Sequence, residues 1–169
     1  VDGDRVEASN RNRQIQTLVS NNGRLKAEVL AERLSDINPG AKIKAIPEFL
    51  TEKNRSYILS GDFDYIVDAI DSLSPKVFLI SESSSRGIRI ISSMGSAGKT
   101  DPSMVKVADI SETYNCPLAK MVRKRLHRLG IESGFKAVFS PETTPDNAVI
   151  KKESDNGHSV VGTISYMPV

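Results

Sequence analysis

Cysteine is almost absent from this sequence: its 169 residues contain one, Cys116. A single thiol cannot close an internal disulfide or supply the paired CxxC motifs of a four-cysteine zinc site. Tryptophan is missing and aromatic residues make up 5%, so base stacking is not expected to dominate any nucleic-acid contact. Net charge is scarce too. Lys and Arg number 23 against 21 Asp and Glu, leaving +2, so any basic partner surface must be local. No apolar run approaches the roughly 18 residues of a spanning helix, and no signal-peptide pattern opens the chain. A soluble, cytoplasmic protein without a membrane partner is expected, although a truncated terminus could hide a targeting segment.

What is present is ordinary for a globular chain: 38% hydrophobic and 26% charged residues, at a length that supports one sizeable core and a single domain over residues 1–169. Strand-like and helix-like stretches alternate. VDGD reads as the exit of a strand whose body lies upstream, so the chain is expected to be a fragment. Residues 9–14 read as a loop with a short turn. RLKAEVLAERLSDIN places Ala27, Leu30, Ala31, Leu34 and Ile37 at helical spacing before Asn38, Pro39 and Gly40 stop the helix, and that face is expected to pack on a sheet.

AKIKAIPEF reads as a strand ending at Pro47, and Thr51 as the cap of a short helix running to Ser60. DYIVDAI is a continuous apolar run bounded by acids, the pattern of a parallel strand buried on both faces, with Asp71 at its carboxyl end. A helix over residues 74–86 follows, then the strand IRIISSM, the glycine-bordered loop GSAGKTDPS and the strand VKVADI. YNCPLAKMVRKRLHRLG reads as a helix with Leu118, Val122, Leu126 and Leu129 on one face. FKAVFS reads as a short strand, residues 140–158 as polar, turn-rich and mobile, and SYMPV as the start of an apolar helix. The expected fold class is α/β, a Rossmann-like, mostly parallel sheet flanked by helices.

The opening stretch VDGDRVEASNRNRQ carries the chemistry, together with Lys26 and Asp71. Carboxylates take ribose hydroxyls or magnesium, while Arg and Lys take phosphate oxygens, so the set suits a nucleoside triphosphate. Plainer readings stand beside it: Asp2 and Asp4 as turn formers, Arg13 in an interdomain ion pair, Lys26 as a solvated lysine, Asp71 as a helix cap. Cys116 has no base near it in sequence and reads as inert. His127 and His158 lack partners at metal-ligand spacing and read as surface residues.

The stretches VDGDRVEASNRNRQ, LKAEVLAERLSDINP and DYIVDAIDS together resemble the ThiF/MoeB superfamily of ATP-dependent adenylating enzymes. RIISSMGSAGKTDPSMVKVADI and GFKAVFSPE are similar to its tRNA threonylcarbamoyladenosine dehydratase branch. The resemblance implies ATP and Mg2+ as cofactors and tRNA as substrate. It further implies a homodimer in which Arg13 reaches the partner subunit's site, and a sulfur-transfer system of the cysteine desulfurase kind. It assigns Asp2 to the ribose, Ser9, Asn10 and Arg13 to the SNxxR loop, Lys26 to phosphate, and Asp71 and Ser72 to the end of the DAxD strand. Asp71 becomes the metal ligand, and Arg13, Lys26 and Asp71 the catalytic set.

Two departures bear on this. The family's Gly-rich phosphate loop is missing, so this chain alone is expected to bind ATP poorly and to be inactive. Ser72 also stands where many relatives carry Asn. Given an RNA substrate, Lys120, Arg123, Lys124, Arg125 and Arg128 on one helix become a phosphate-contacting surface, the plain reading being a solvated face. Residues 93–101 suit a backbone-lined ion site, a monovalent cation included, or an ordinary connection. An activator of a ubiquitin-like sulfur carrier is the alternative function; the missing zinc cysteines count against it. A non-catalytic nucleotide-binding module is the third, for which Arg13, Lys26 and Asp71 together would be gratuitous.

Overall fold

The computed structural model describes residues 1–143, 149–151 and 158–160, in two compact units, Val1–Gly61 and Asp62–Val169. The first unit is built on a loop closed at its base. Backbone bonds from Val6 to Arg24 (2.8 Å), Gly23 to Val6 (2.8 Å) and Lys26 to Asp4 (2.9 Å) tie the two ends of residues 4–26 together. Between them the chain makes single turns of 3-10 helix at Ala8–Asn10 and Val19–Asn21.

Helix α1 (Lys26–Ile37) follows, and ends where the amide of Asn38 still reaches Leu34 just before Pro39. Its apolar stripe was expected to be a core face. Within this chain Leu30, Leu34 and Ile37 are exposed, and the buried residues are Lys26 and Val29. The register of burial is thus set by the closed loop, which draws in the first turn.

Residues 41–47 do not form the expected strand; they run extended, with Asp2 N–H donating to Ile46 C=O at 3.1 Å. Alternation alone cannot make a strand without a ladder on which to pair. Helix α2 is a single turn, Arg55–Ile58, shorter than expected. Thr51 is not its cap: that position is Asn54, whose side-chain oxygen accepts from the Thr51 amide and hydroxyl at 2.8 and 3.0 Å.

The second unit is a four-stranded sheet flanked by helices. Its strands are β1 (Tyr65–Asp68), β2 (Arg89–Ser93), β3 (Lys106–Asp109) and β4 (Lys136–Phe139), in the order β1-β2-β4-β3. β1, β2 and β4 are parallel and β3 is antiparallel to β4, so the α/β, mostly parallel expectation holds. Two helices belong to the unit, α3 (Leu73–Ser85) and α4 (Pro117–His127), and they pack against one another. Gly87, with φ +67°, takes the left-handed turn that ends α3.

The core buries Ile80, Ile90, Val122, Leu126, Ala137 and Phe139. Leu129 falls past the end of α4 and is exposed. β1 corrects an expectation: Asp68 is buried, whereas Tyr65 and Val67 are 44% and 59% exposed, so only one face is covered. Residues 140–158 are not wholly irregular, since β5 (Val149–Lys151) pairs antiparallel with β6 (His158–Val160). SYMPV lies outside the described residues. No helix among the described residues is long and apolar enough to cross a membrane.

The loop between β2 and β3 is organised round a carboxylate of the chain itself. Glu142 accepts from the amides of Thr100 (2.9 Å) and Asp101 (3.0 Å) and from the Thr100 hydroxyl (3.0 Å). Lys99, nearly fully buried, donates its ammonium to the Glu142 carbonyl. The Asp101 amide, then the Thr100 amide, hold the Glu142 carboxyl below the usual glutamate range, against the opposing effect of burial.

Two outcomes follow from this packing. A Cβ on Gly3 would lie 2.7 Å from the Phe49 ring and 2.8 Å from the Phe49 backbone nitrogen, so Gly3→Ala is expected to cost about 1 to 3 kcal/mol in urea unfolding. A lowered carboxyl pKa stabilises the fold above the unfolded-state value and loses that contribution as pH falls through the folded value. The wild type should therefore lose thermal stability more steeply on acidification below the usual glutamate range than Glu142→Gln; parallel melting curves would discard this role for Glu142.

Candidate functional site

The residues singled out in the sequence fall into both units. In the first, the closed loop presents Asp4, Ser9, Asn10, Arg13 and Lys26, and Asp2 stands just ahead of it. Lys26 is not a solvated lysine. Its residue is 8% exposed, and its ammonium donates to Asp4 Oδ2 at 2.9 Å while its amide donates to the Asp4 carbonyl. The acid is itself half exposed, so the pair keeps a positive group at the edge of solvent rather than neutralising it in a core.

Asp2 does take part in a turn, Oδ1 accepting from the Asp4 amide at 2.8 Å. Ser9 donates to Glu7 at 3.2 Å. Asn10 is buried, and its Oδ1 has no hydrogen-bond partner. An orphaned buried acceptor costs stability unless a donor arrives, and a ribose hydroxyl or an adenine amino group is such a donor. Arg13 is exposed, its Nη1 bonded to the Ser9 carbonyl (3.1 Å) and Asn12 Oδ1 (2.8 Å), and no carboxylate among the described residues pairs with it.

In the second unit Asp71 follows the carboxyl end of β1, the edge at which ligands bind in open α/β sheets. It is exposed and accepts from the Ser72 hydroxyl at 3.2 Å. It is not a helix cap; Ser72 holds that position, without a side-chain capping bond. No group of three or more His, Cys, Asp or Glu among the described residues could hold a metal. A magnesium ion commonly binds through one or two carboxylates plus substrate phosphates, and Asp71 fits that role.

Sequence reasoning missed a buried cluster beside it. Lys76 and Asp68 are 0% and 1% exposed, and the ammonium donates to Asp68 Oδ2 at 2.6 Å. Burial pulls the lysine pKa down, and the charges of Asp68 and Asp71 only partly restore it. A signal was available: Lys76 shares a helical stripe with the buried Ile80 and Ser83, a core position where a lone charge demands a partner.

On α4 the five basic residues divide. Lys120, Lys124, Arg125 and Arg128 are exposed, and Arg125 donates to Ser74 Oγ at 3.2 Å. Arg123 is half-buried, and its guanidinium donates to the Thr113 carbonyl (2.7 Å) and hydroxyl. It is thus a brace rather than part of an open face. His127 is a surface residue, 3.2 Å from Glu132; the His158 side chain lies outside the described residues. Cys116 is 4% exposed, just before α4, which suits an inert thiol.

Against known proteins, the ThiF family model matches residues 1–165. The tRNA threonylcarbamoyladenosine dehydratase of Bacillus subtilis is 41% identical over 143 residues, covering 85% of this chain and 56% of its own. That of Escherichia coli is 39% identical over 162 residues, covering 92% and 59%. The chain thus spans somewhat over half the length of these relatives. The crystal structure of the Escherichia coli dehydratase in complex with ATP superimposes with a TM-score of 0.86 at 32% identity, over 98% of this chain and 68% of that one. With its mostly parallel sheet and its SNxxR loop, the chain belongs to the ThiF family.

Proposed function

We propose that residues 1–169 act as one ThiF-like adenylating domain of an ATP-dependent tRNA threonylcarbamoyladenosine dehydratase. The observation that carries the reading is the closed loop of residues 4–26. It holds an ammonium on Asp4, an unsatisfied buried acceptor at Asn10 and the guanidinium of Arg13, in a chain similar to a dehydratase solved with ATP. The family match across both units supports treating them as one domain.

In this reading Asn10 and Asp2 receive the nucleoside, and Lys26 and Arg13 receive phosphate oxygens. Arg13 does so in the partner subunit of a homodimer, in keeping with its having no carboxylate partner among the described residues. Asp71 anchors magnesium, and Ser72 orients the Asp71 carboxylate. The threonylcarbamoyl carboxylate attacks the α-phosphorus and pyrophosphate leaves. A nitrogen or oxygen of the same substituent then attacks the activated carbonyl, closes the ring and expels AMP.

No protein nucleophile is required, in keeping with the buried Cys116. A monovalent cation at the backbone carbonyls of residues 93–101 belongs to this reading, on the strength of the loop's small residues alone. A cytoplasmic setting and a cysteine desulfurase partner belong to the same proposal, on the strength of the family resemblance alone.

The full-length protein is expected to release AMP and pyrophosphate from ATP only when threonylcarbamoylated tRNA is present, with the cyclic nucleoside detected by mass spectrometry. Turnover with the C-terminus of a ubiquitin-like carrier in place of tRNA would favour the sulfur-carrier alternative. Asp71→Ala should abolish this turnover without changing tRNA affinity. The tRNA contact is assigned to Lys120, Lys124, Arg125 and Arg128, with Arg123 removed because Thr113 holds it. Lys120→Ala with Lys124→Ala should leave ATP binding intact and weaken tRNA binding, each lost phosphate contact flattening the log-log salt dependence by about 0.7 to 0.9. An unchanged salt slope would make the helix a solvated face only.

A further inference from the structure

The interior at the carboxyl ends of β1 and β2 holds a polar cluster that the reaction above does not use. Lys76 Nζ donates to Asp68 Oδ2 at 2.6 Å, to the Ser93 carbonyl at 2.9 Å and to Ser92 Oγ at 3.2 Å. The Ser92 hydroxyl donates in turn to Asp68 Oδ2 at 2.5 Å. An ammonium has three protons, and each has its own acceptor here, so the geometry is that of a charged lysine beside an ionised carboxylate. The other Asp68 oxygen is also engaged, accepting from the Ile70 amide at 2.9 Å.

That last bond matters because it fixes the turn leading from β1 to Asp71. The loop bearing Asp71 is held before it by Asp68 and after it by Lys76, on the first turns of α3, and Ser92 on β2 joins the two. Lys76 and Asp71 also feel one another's charge. A core whose only need was stability would be served equally well by apolar side chains of similar volume. A lysine, an acid and a hydroxyl with no orphaned polar atom form instead a rigid, directional mount.

We infer that Lys76, Asp68 and Ser92 are positioning residues that set the Asp71 carboxylate for a divalent cation carried on nucleotide phosphates. The inference rests on the ATP-binding reading given above. It is not tested by Lys76→Met, which would leave Asp68 charged and buried and could simply unfold the protein. Ser92→Ala keeps the ion pair and removes one hydroxyl. Asp68→Asn combined with Lys76→Met removes both charges together and serves as the second variant.

ATP is titrated calorimetrically into the full-length protein over a series of Mg2+ concentrations, for the wild type, Ser92→Ala, Asp71→Ala and the double variant of Ser92 and Asp71. Ser92→Ala is expected to weaken the Mg2+-dependent part of ATP affinity about fivefold, leave affinity without Mg2+ unchanged, and have no further effect once Asp71 is alanine. The paired-charge variant should behave in the same way. Equal losses with and without Asp71, no loss in either variant, or an ATP affinity in the wild type that ignores Mg2+ would each overturn the inference. AMP release with threonylcarbamoylated tRNA is followed in parallel. If that fails while the coupling to Asp71 is present, the dehydratase reading falls and the positioning role stands.

Discussion

An ammonium and a carboxylate shut away from water hold the second unit's strand ends to its helix. Removing two charges from solvent costs several kcal/mol per ion, and Coulomb attraction repays this only when the remaining protons and lone pairs are also satisfied. The cluster at Lys76 meets that condition through Ser92, the Ser93 carbonyl and the Ile70 amide. Because its partners come from β1, β2 and α3, the elements must arrive in one register before all of the polar groups are satisfied. Parallel pairing of Asp68 with Ser92 is therefore fixed by chemistry as well as by the ladder.

The first unit uses the same two residue types to the opposite end. Lys26 is also drawn in, but Asp4, its partner, faces solvent, and the loop above them leaves Arg13 exposed and Asn10 Oδ1 without a donor. A pair of this kind stabilises little, since water screens it. What it does supply is a fixed location for a positive charge at the mouth of a loop. One lysine is committed to architecture and the other kept available, and the difference lies in the exposure of the acid rather than in the lysine.

The parts of the fold that could be read from the sequence are those set by local pattern: α1, α3 and α4, the four sheet strands and the turn at Gly87. Burial was harder, because it depends on what lies across from a side chain. Leu30, Leu34 and Ile37 have helical spacing whether or not a neighbour covers them, and Val67 reads as core although α3 covers only the other face of β1. Residues 41–47 alternate like a strand yet find no ladder. In the candidate site, motif spacing singled out Asn10, Arg13, Lys26 and Asp71. Lys76, Asp68 and Ser92 were not, because their meaning arises from contacts between segments distant in sequence.

The near-neutral net charge takes on a definite sense once the basic residues are sorted by partner. Arg24, Arg86 and Lys76 are committed to carboxylates, Lys26 is paired with the exposed Asp4, and Arg123 is tied to Thr113 and Lys99 to the Glu142 carbonyl. Lys120, Lys124 and Arg128 stand exposed on α4 or at its end, beside Arg125. A polyanion at physiological salt is screened beyond about 8 Å, so it responds to this local density and not to the sum over the chain. A protein with a net charge of +2 can thus carry a locally basic face on α4.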